Sequence, residues 1–520
     1  MKGTKQAPSR FSLAILVRGA ANSLSATLES VAELGVECLL AWTDQAEKDA
    51  DLDLTRWKTR SVALPWHDDL AAARNACLKY GTGDHLVWLE PGERLTKQSL
   101  AVLREWLENP ANRNSAGTLV VTADRSAGEL AAEEVRAIRV VPLGRNLQYA
   151  GRVRESLDAT LAAREVEVKA ITAKVLRSAG EASWEGRVGY ARRQLQLAHL
   201  EIEKEGPDCR LHNCLGESLA ILGDRIGAEA AYRQSLANSK RGSRDMLEAY
   251  YGLIQLAESD PQSQTAIHLC IQALEIFPLD AQLLATMGGL LQGAGRLDLA
   301  VRSYQAAWRY GEVCESLWHM EGVREVAAVC CSLCRQLQGN DEEASWVLNE
   351  ALSMFPGSLR LMRQRLELLI KNGRHDEALG TASQLSPSTH AQEPLRLAIR
   401  GACLAREKNW LASRRLLLLS YTDGCRELVC LRWLSLTHLA LGDFVAARPI
   451  LEEWREADPD SREAEGYLIA IETSSRLPGK ETPESRAAEP STSDKWFRVD
   501  SAVVPHSGPK SANVSSPAAK

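Results

Sequence analysis

Small residues recur at a fixed interval along the second half of the chain. Alanines stand 34 residues apart, first as the pair Ala266 and Ala300, and then as the run Ala344, Ala378, Ala412 and Ala446. The segments around them have the apolar period of amphipathic helices. One short helix pair cannot bury its apolar face alone, so copies of the pair must stack on one another. The spacing therefore predicts an all-α solenoid.

The order of residues inside each unit resembles the tetratricopeptide repeat family. Residues 211–239 hold the small and aromatic residues at the family's spacing, and residues 287–311 hold them again: Leu215, Gly216, Gly223, Ala228 and Tyr232, then Met287, Gly288, Gly295, Ala300 and Tyr304. The resemblance implies about seven repeats over residues 183–474. It also implies a protein or peptide partner bound in the concave groove of the solenoid.

The first third of the chain has a different pattern. Short β-rich runs alternate with helical segments, beginning with "FSLAILV" at residues 11–17, which Arg18 ends too early for a secretory signal. The first predicted helix stops at Gly35, as expected of a C-cap glycine. This alternation predicts an α/β domain with a mostly parallel sheet, and "VRAIRVVPL" is expected to be an antiparallel strand.

Composition limits the function classes. The net charge of -6 gives no general attraction for nucleic acid, so none is expected as a partner. No apolar stretch of about 18 residues occurs, which predicts no membrane span and a cytoplasmic protein. Residues 1–10 are expected to be flexible. Residues 477–520 are rich in Pro, Ser, Lys and Glu and are expected to be disordered.

The 12 cysteines lack the dense spacing of a disulfide framework, so most are expected to be buried thiols. Cys330, Cys331 and Cys334 fall within about one helical turn. They are either part of a structural metal site or ordinary helix packing, and no second ligand pair stands nearby in the sequence.

A motif in the α/β domain resembles the inverting family 2 glycosyltransferases, in the branch that precedes tetratricopeptide repeats. The motif consists of Trp66, Asp68, Asp69, Ala73, Arg74, Asn75, Gly83, Asp84, Trp88, Leu89, Glu90 and Glu93. The resemblance implies a GT-A, Rossmann-like domain over residues 11–180. It also implies a nucleotide-sugar donor and a divalent Mn or Mg ion on its diphosphate.

The resemblance also implies roles for particular side chains. Donor binding falls to Asp69, Arg74, Asn75, Glu90 and Arg154. Glu90 is the implied metal ligand, and Glu93 and Glu155 are candidate catalytic carboxylates. Arg74 suits a phosphate because its guanidinium is a planar fork. The alternative is that Asp68, Asp69 and Arg74 only cap and brace the helix.

Several positions depart from the family pattern. Gly92 stands where the second metal-binding aspartate belongs, and Arg154 replaces a histidine. One interpretation of "LEPGE" is a Pro-Gly turn that connects a strand to the next helix, with two solvated glutamates, Glu90 and Glu93. Arg74, Arg152 and Arg154 are a hypothetical clamp that neutralises the leaving diphosphate without metal. The alternative for Arg154 is an ordinary surface arginine.

Further departures lie at the ends of the first two strands. Gly19, Ala20 and Ala21 replace an acidic pair, and Asp44 is displaced from the position of the base-binding aspartate.

Two functions remain open at this point. One is an inverting, hexosyl-type glycosyltransferase whose repeats select a protein, peptide or glycan acceptor. The other is a catalytically inactive pseudo-glycosyltransferase that serves as a protein-binding scaffold, because function lies in the site and not in the fold.

Overall fold

The computed structural model describes residues 11–17, 23–43, 54–123, 132–177, 184–258, 264–386, 389–458 and 462–475. An α/β region with a curled, half-barrel sheet comes first, and a helical repeat region follows. The predicted flexible residues 1–10 and disordered tail 477–520 lie outside the described residues. The departures at Gly19, Ala20, Ala21 and Asp44 lie outside them too.

The described strands form one mixed sheet of nine strands. Their bounds are β1 Phe11–Val17, β2 Cys38–Thr43, β3 Thr59–Leu64, β4 His85–Leu89, β5 Glu93–Leu95, β6 Ala116–Ala123, β7 Glu133–Pro142, β8 Val168–Arg177 and β9 His319–Met320. The order is β3-β2-β1-β4-β7-β6-β8-β5, and β9 also pairs with β7. The first four strands in that order are parallel. β7 is antiparallel to β4 and β6, as the sequence predicted.

Alternate side chains of β1 pack into two separate cores on opposite faces of the sheet, which explains why its apolar run is unbroken. Ala14 and Leu16 enter one core, while Leu13, Ile15 and Val17 enter the other. Helices cover both faces: α1 Leu24–Val31, α2 Leu70–Leu78, α3 Lys97–Glu108 and α4 Asp158–Ala163. A 3-10 turn extends α1 and ends at Gly35, whose φ of 64° confirms the predicted glycine cap.

The described helices beyond α5 Trp184–Glu205 form seven consecutive pairs, followed by α21 Arg462–Ser475. The pairs are α6 Cys209–Ile221 with α7 Arg225–Asn238, α8 Arg244–Glu258 with α9 Thr265–Leu274, α10 Ala281–Gly293 with α11 Leu297–Tyr310, α12 Val323–Leu337 with α13 Asp341–Met354, α14 Leu359–Lys371 with α15 His375–Gly380 and α16 Ala382–Leu385, α17 Thr389–Arg406 with α18 Trp410–Thr422, and α19 Leu428–Ala440 with α20 Phe444–Ala457.

The turn inside most pairs follows one pattern. The residue before the N-cap of the second helix has a left-handed backbone: Gly223, Gly295, Gly339, Gly373, Lys408 and Gly442. The fourth residue after that N-cap is small and fully buried: Ala228, Ala300, Ala344, Ala378, Ser413 and Ala447. The predicted positions Ala412 and Ala446 are therefore wrong by one residue. The N-caps at Asn409 and Asp443 set this register, which leaves both alanines partly exposed.

Glycines in the first helices permit close helix approach. The ring of Tyr232 on α7 lies against both Gly216 and Gly252, where an added Cβ would come within 2.7 Å and 2.2 Å of ring carbons. Gly288 meets Tyr304 in the same way, at 2.6 Å. The leucine-glycine and methionine-glycine steps of the sequence pattern therefore mark where the tyrosine of the second helix packs against the backbone of the first helix.

The three clustered cysteines lie on α12, and all are buried in the core that it shares with α10, α11 and α13. Across the described ranges, no group of three or more His, Cys, Asp or Glu side chains is arranged to hold a metal ion. None of the helices described above is long and apolar enough to cross a membrane.

Among the described residues, the α/β region and the repeats contact each other in two areas. In the first, Leu197 of α5 and Leu211 of α6 belong to the same core as Leu16 and Trp88 of the sheet. In the second, the connection between α11 and α12 supplies β9, which pairs with the start of β7. The amide of Glu321 then donates to the carbonyl of Ala132 at 2.7 Å. The first repeats are thus held against the sheet.

The β7–β9 contact contains a buried histidine. Nε2 of His319 lies 3.5 Å from Oε1 of Glu134, and Lys174 lies 3.5 Å from Glu134 and 2.6 Å from Glu321. Burial alone lowers the pKa of His319, but hydrogen bonds with Glu134 and Leu317 raise it above the ordinary value. His319 in turn lowers the pKa of Glu134.

These directions predict that the β7–β9 contact weakens as the pH rises. A histidine whose pKa is raised on folding stabilises the fold. The stabilisation is fully present at pH values below the pKa of the unfolded state, about 6.5, and is lost as the pH rises through the pKa of the folded state. We expect the Glu321 amide to lose at least about threefold of its hydrogen-exchange protection between pH 6 and pH 8.5, after correction for intrinsic exchange. The variant His319→Gln should show no such change. Equal protection of the parent protein at both pH values would contradict the prediction.

Candidate functional site

The predicted donor residues lie where α2 meets the end of β4 and the segment at residues 149–155. Asp69 caps α2, since its side chain accepts a hydrogen bond from the Ala72 amide at 2.8 Å. Asn75 holds the neighbouring segment. Its side chain donates to the Tyr149 carbonyl at 2.9 Å and accepts from the Tyr149 amide at 2.7 Å. Both residues therefore have structural roles in α2 and its surroundings.

Arg74 lies at the centre of this site and is bound by two carboxylates. Its Nε donates to Oε1 of Glu155 at 2.5 Å, and its Nη2 donates to Oε1 of Glu90 at 2.6 Å. The three side chains are largely buried, with exposed fractions of 13%, 11% and 21% for Arg74, Glu155 and Glu90. Charge-assisted bonds of this kind are about twice as strong as neutral ones.

Two aromatic rings complete the surroundings of Arg74. Its Cζ lies 4.6 Å from the ring centroid of Trp88 and 5.6 Å from that of Tyr149. The rings meet edge to face at 6.2 Å. Burial alone lowers the pKa of Arg74, but Glu155 and Glu90 raise it well above its ordinary value. The guanidinium is therefore a permanent cation held by both carboxylates and both rings.

The predicted turn is present at Pro91 and Gly92, but it leads into β5 and not into a helix, and Glu93 is buried and not solvated. Glu93 is 1% exposed, because it begins β5 and its side chain points inward. Its Oε1 accepts from Arg139 at 2.7 Å, and its Oε2 accepts from the Glu90 amide at 2.8 Å. Burial raises the pKa of Glu93, Glu90 adds to this effect, and Arg139 opposes it.

The turn itself accounts for Gly92. Its φ is 89°, a conformation that L side chains rarely adopt, and its amide donates to Oγ1 of Thr27 at 2.9 Å. An aspartate at this position would be strained by the backbone of the same turn that brings Glu93 into the interior. The second metal-binding position of the family pattern is therefore used here as a glycine turn.

Arg154 binds the repeats. Its two terminal nitrogens donate to Glu217 on α6 and to Glu248 on α8. Burial lowers its pKa, but the two carboxylates raise it well above the ordinary value. With 24% of its side chain exposed and both ends paired, Arg154 is not an ordinary surface arginine. It joins the α/β region to the first helices of two successive repeats.

The structure brings only part of the predicted site together. Glu90, Glu93 and Glu155 share a cluster with Arg74 and Arg139, which we call the Arg74 cluster. The three arginines of the hypothetical clamp have different acceptors. Arg74 donates to Glu90 and Glu155, and Arg154 donates to Glu217 and Glu248. Arg152 donates instead to the carbonyls of His67 and Asp68 at 3.2 Å and 3.0 Å.

Sequence reasoning missed Arg139, Glu217 and Glu248. Each lies more than 40 residues from the side chain that it pairs with. No motif linked these positions, because tertiary contacts alone make them neighbours. The cluster holds three carboxylates and two guanidinium groups, so it offers no excess positive charge for a diphosphate.

A second candidate surface lies on the first helices of the later repeats. Glu367 of α14 pairs with Arg432 of α19 at 2.7 Å, and Arg363 of α14 pairs with Glu427 at 3.0 Å. These pairs join helices of repeats that are not adjacent in the chain. α17 contacts α14, α18 and α19. Arg400 of α17 is exposed and has no ion-pair partner among the described residues.

The comparisons with known proteins add only weak likenesses. No family model matches the chain, and no curated protein matches its sequence. One similar solved structure is yeast Tom70, at 15% identity and a TM-score of 0.35, covering 57% of this chain and 61% of that chain.

Two other solved structures are similar to a comparable degree. A tetratricopeptide repeat protein from Parabacteroides merdae has 13% identity and a TM-score of 0.34, covering 55% of this chain and 99% of that chain. PilF from Pseudomonas aeruginosa has 13% identity and a TM-score of 0.29, covering 51% and 97%. At these values the likenesses carry no argument about function.

Proposed function

We propose that this protein is a protein-interaction scaffold built on tetratricopeptide-like repeats, and that its α/β region is a catalytically inactive pseudo-glycosyltransferase. The observation that carries the proposal is the double pairing of Arg74 with Glu90 and Glu155. In the family that the sequence resembles, this arginine faces the donor nucleotide. Here the guanidinium already has two carboxylate partners inside the protein.

Electrostatics supports an inactive donor site. A diphosphate at Arg74 would either displace Glu90 or Glu155, each held by a charge-assisted bond that contributes about 1.5–3 kcal/mol, or lie beside both carboxylates. In either case a carboxylate would lie close to the incoming anion. A divalent ion would normally screen this repulsion, but Gly92 contributes no side-chain oxygen as a ligand. Neither a metal nor a nucleotide sugar is part of the proposed function.

The partner is proposed to bind the later repeats. α6 and α8 already contact the α/β region through Glu217 and Glu248. The first helices α14 and α19 carry paired charges, and Arg400 of α17 is exposed. The proposed binding surface is the concave side that these first helices would line. A surface of this kind suits an extended segment of another protein that carries acidic residues.

Calorimetric titration tests the inactive donor site. Full-length protein is titrated with uridine and guanosine diphosphates and their common sugar conjugates, with and without manganese. We expect no binding in any of these titrations. Micromolar binding that is lost in the variant Asn75→Ala would overturn this half of the proposal and favour an active transferase.

Defined peptides test the scaffold half. A displayed library of acidic, extended peptides is selected on full-length protein, and the best peptide is titrated against variants. Arg400→Glu should weaken binding at least about tenfold, which corresponds to about 1.4 kcal/mol. The control Arg233→Glu, on the second helix α7, should leave binding unchanged. Equal affinity for both variants, or no selected peptide, would contradict the proposed surface.

A further inference from the structure

Arg154 fills an acidic site on the repeats in the way that a ligand would. Its guanidinium donates through Nη1 to Glu248 on α8 and through Nη2 to Glu217 on α6. Two flanking carboxylates suit an arginine, whose planar fork presents its N–H donors in fixed directions. The side chain of Glu217 is 46% exposed, so the site is open to solvent on the side of α6. An arginine from outside the chain therefore has access to this carboxylate.

A third polar group at the site has an unused acceptor. Asn213 lies one helical turn before Glu217 on α6 and is fully buried. Its Nδ2 donates to the Asp245 carbonyl at 2.9 Å and lies 3.3 Å from Oε2 of Glu248. Oδ1 of the same amide has no hydrogen-bond partner among the described residues. Buried acceptors are normally paired, so the site has capacity for one more N–H donor than Arg154 supplies.

The backbone at Arg154 is fixed by its neighbours. Its φ is 50°, in the left-handed region that residues with a side chain rarely adopt. On one side Glu155 is held by Arg74, and on the other the Val153 amide donates to Glu201 of α5 at 3.2 Å. These contacts hold the loop without help from the Arg154 guanidinium. The contact of that guanidinium with the repeats is therefore separable from the fold of the loop.

We propose that Glu217, Glu248 and Asn213 form a binding site for an arginine of another protein, and that Arg154 occupies this site as an internal ligand. The site is closed to basic segments until one of them displaces the Arg154 side chain. Displacement requires only a new side-chain rotamer, and it leaves the core shared by the sheet and the repeats in place. An incoming segment gains both carboxylates and can supply the missing donor to Oδ1 of Asn213.

This site selects the opposite charge from the surface proposed at Arg400, which takes acidic segments. The two surfaces lie on different helices, α6 with α8 and α17. A negative result at one of them therefore leaves the other proposal unaffected.

Chemical rescue tests the site in the full-length protein. Arg154→Gly removes the guanidinium, while glycine readily adopts the φ of 50°. Added ethylguanidinium should bind this variant with a dissociation constant of about 1 mM and raise its unfolding temperature. The parent protein should not respond, because Arg154 fills its site. Ethylammonium at the same concentration should stabilise the variant less, since it has no planar fork.

A peptide with the sequence of residues 149–157 tests recognition of an arginine-bearing segment. In calorimetric titration it should bind the Arg154→Gly protein at least about tenfold more tightly than the parent protein. A copy of the peptide with both Arg152→Gln and Arg154→Gln should bind at least about tenfold more weakly than the original.

Carboxylate variants locate the bound guanidinium. Combined with Arg154→Gly, the change Glu217→Gln should abolish binding of both probes. Glu229→Gln is the matched control and should leave binding unchanged. Glu229 lies on α7, is 47% exposed and also pairs with an arginine, Arg233.

Circular dichroism checks that each variant is folded. Arg154→Gln, which removes the charge and keeps a long side chain, replaces the glycine variant if that variant unfolds. The proposal is overturned if the folded Arg154 variant binds neither probe, if the parent protein binds them equally well, or if Glu217→Gln leaves their binding unchanged.

Discussion

Replacing Arg74 with leucine should lower the free energy of unfolding by about 3–5 kcal/mol, the usual cost of breaking a buried ion pair from one side. The substitution leaves Glu90 and Glu155 largely buried without their cation. It also removes the guanidinium from the faces of Trp88 and Tyr149. Urea unfolding followed by circular dichroism measures the change.

The sign of this effect separates the two views of Arg74. Residues kept for binding a substrate commonly cost stability, so their removal from an empty site is neutral or stabilising. Removing an arginine that stabilises the fold should instead lower the free energy of unfolding. The matched control is the triple variant Arg74→Leu, Glu90→Gln and Glu155→Gln, which removes the stranded charges and should recover at least half of the loss. An unchanged midpoint for Arg74→Leu would contradict the structural role.

Replacing Gly252 with alanine is expected to destabilise the repeats by about 3 kcal/mol, at the upper end for an overpacked core. The new Cβ would lie 2.2 Å from Cζ of Tyr232, and the same ring is confined on its other side by Gly216. The ring cannot move away from one helix without entering the other. Thermal unfolding and urea unfolding both report the loss.

Gly189 provides the matched control for Gly252. It lies in α5 with no heavy atom within 4 Å of an added Cβ. Gly189→Ala should therefore raise stability by about 0.5–1 kcal/mol through helix propensity alone. Combining Gly252→Ala with Tyr232→Leu should recover part of the loss, because the smaller side chain relieves the contact. If the Gly252 and Gly189 variants change stability equally, close packing at Tyr232 is not the cause.

Local patterns in the sequence were sufficient for the elements of the fold. The unbroken apolar run at residues 11–17 predicted a buried strand, and the first helix ends at Gly35 as expected. The antiparallel direction of β7 was predicted as well. The alanine spacing predicted paired helices, yet it placed Ala412 and Ala446 one residue before the buried positions. Spacing reports the period, whereas helix capping at Asn409 and Asp443 fixes the register.

The candidate site was predicted less well. Asp69 caps α2 as expected, because an N-cap acts within its own helix turn. Glu93 was expected in solvent in one interpretation, but the glycine turn at Gly92 directs it inward to Arg139. A one-residue change in where a strand starts reverses which side its side chain faces, and the motif alone does not contain that information.

The sequence by itself determined that an α/β region is followed by paired helices. The signals for both are local, because an apolar period of two or 3.6 residues and a repeated small residue can be recognised within a short segment of the chain. Only the tertiary structure decided what the charged motif residues do. Arg74 meets Glu155 from 81 positions away, and Arg154 meets Glu248 from 94 positions away. Such pairs form because the shared core places the sheet against the first repeats. A buried charge without a partner costs free energy, so each arginine pairs with an opposite charge that the tertiary structure brings close to it.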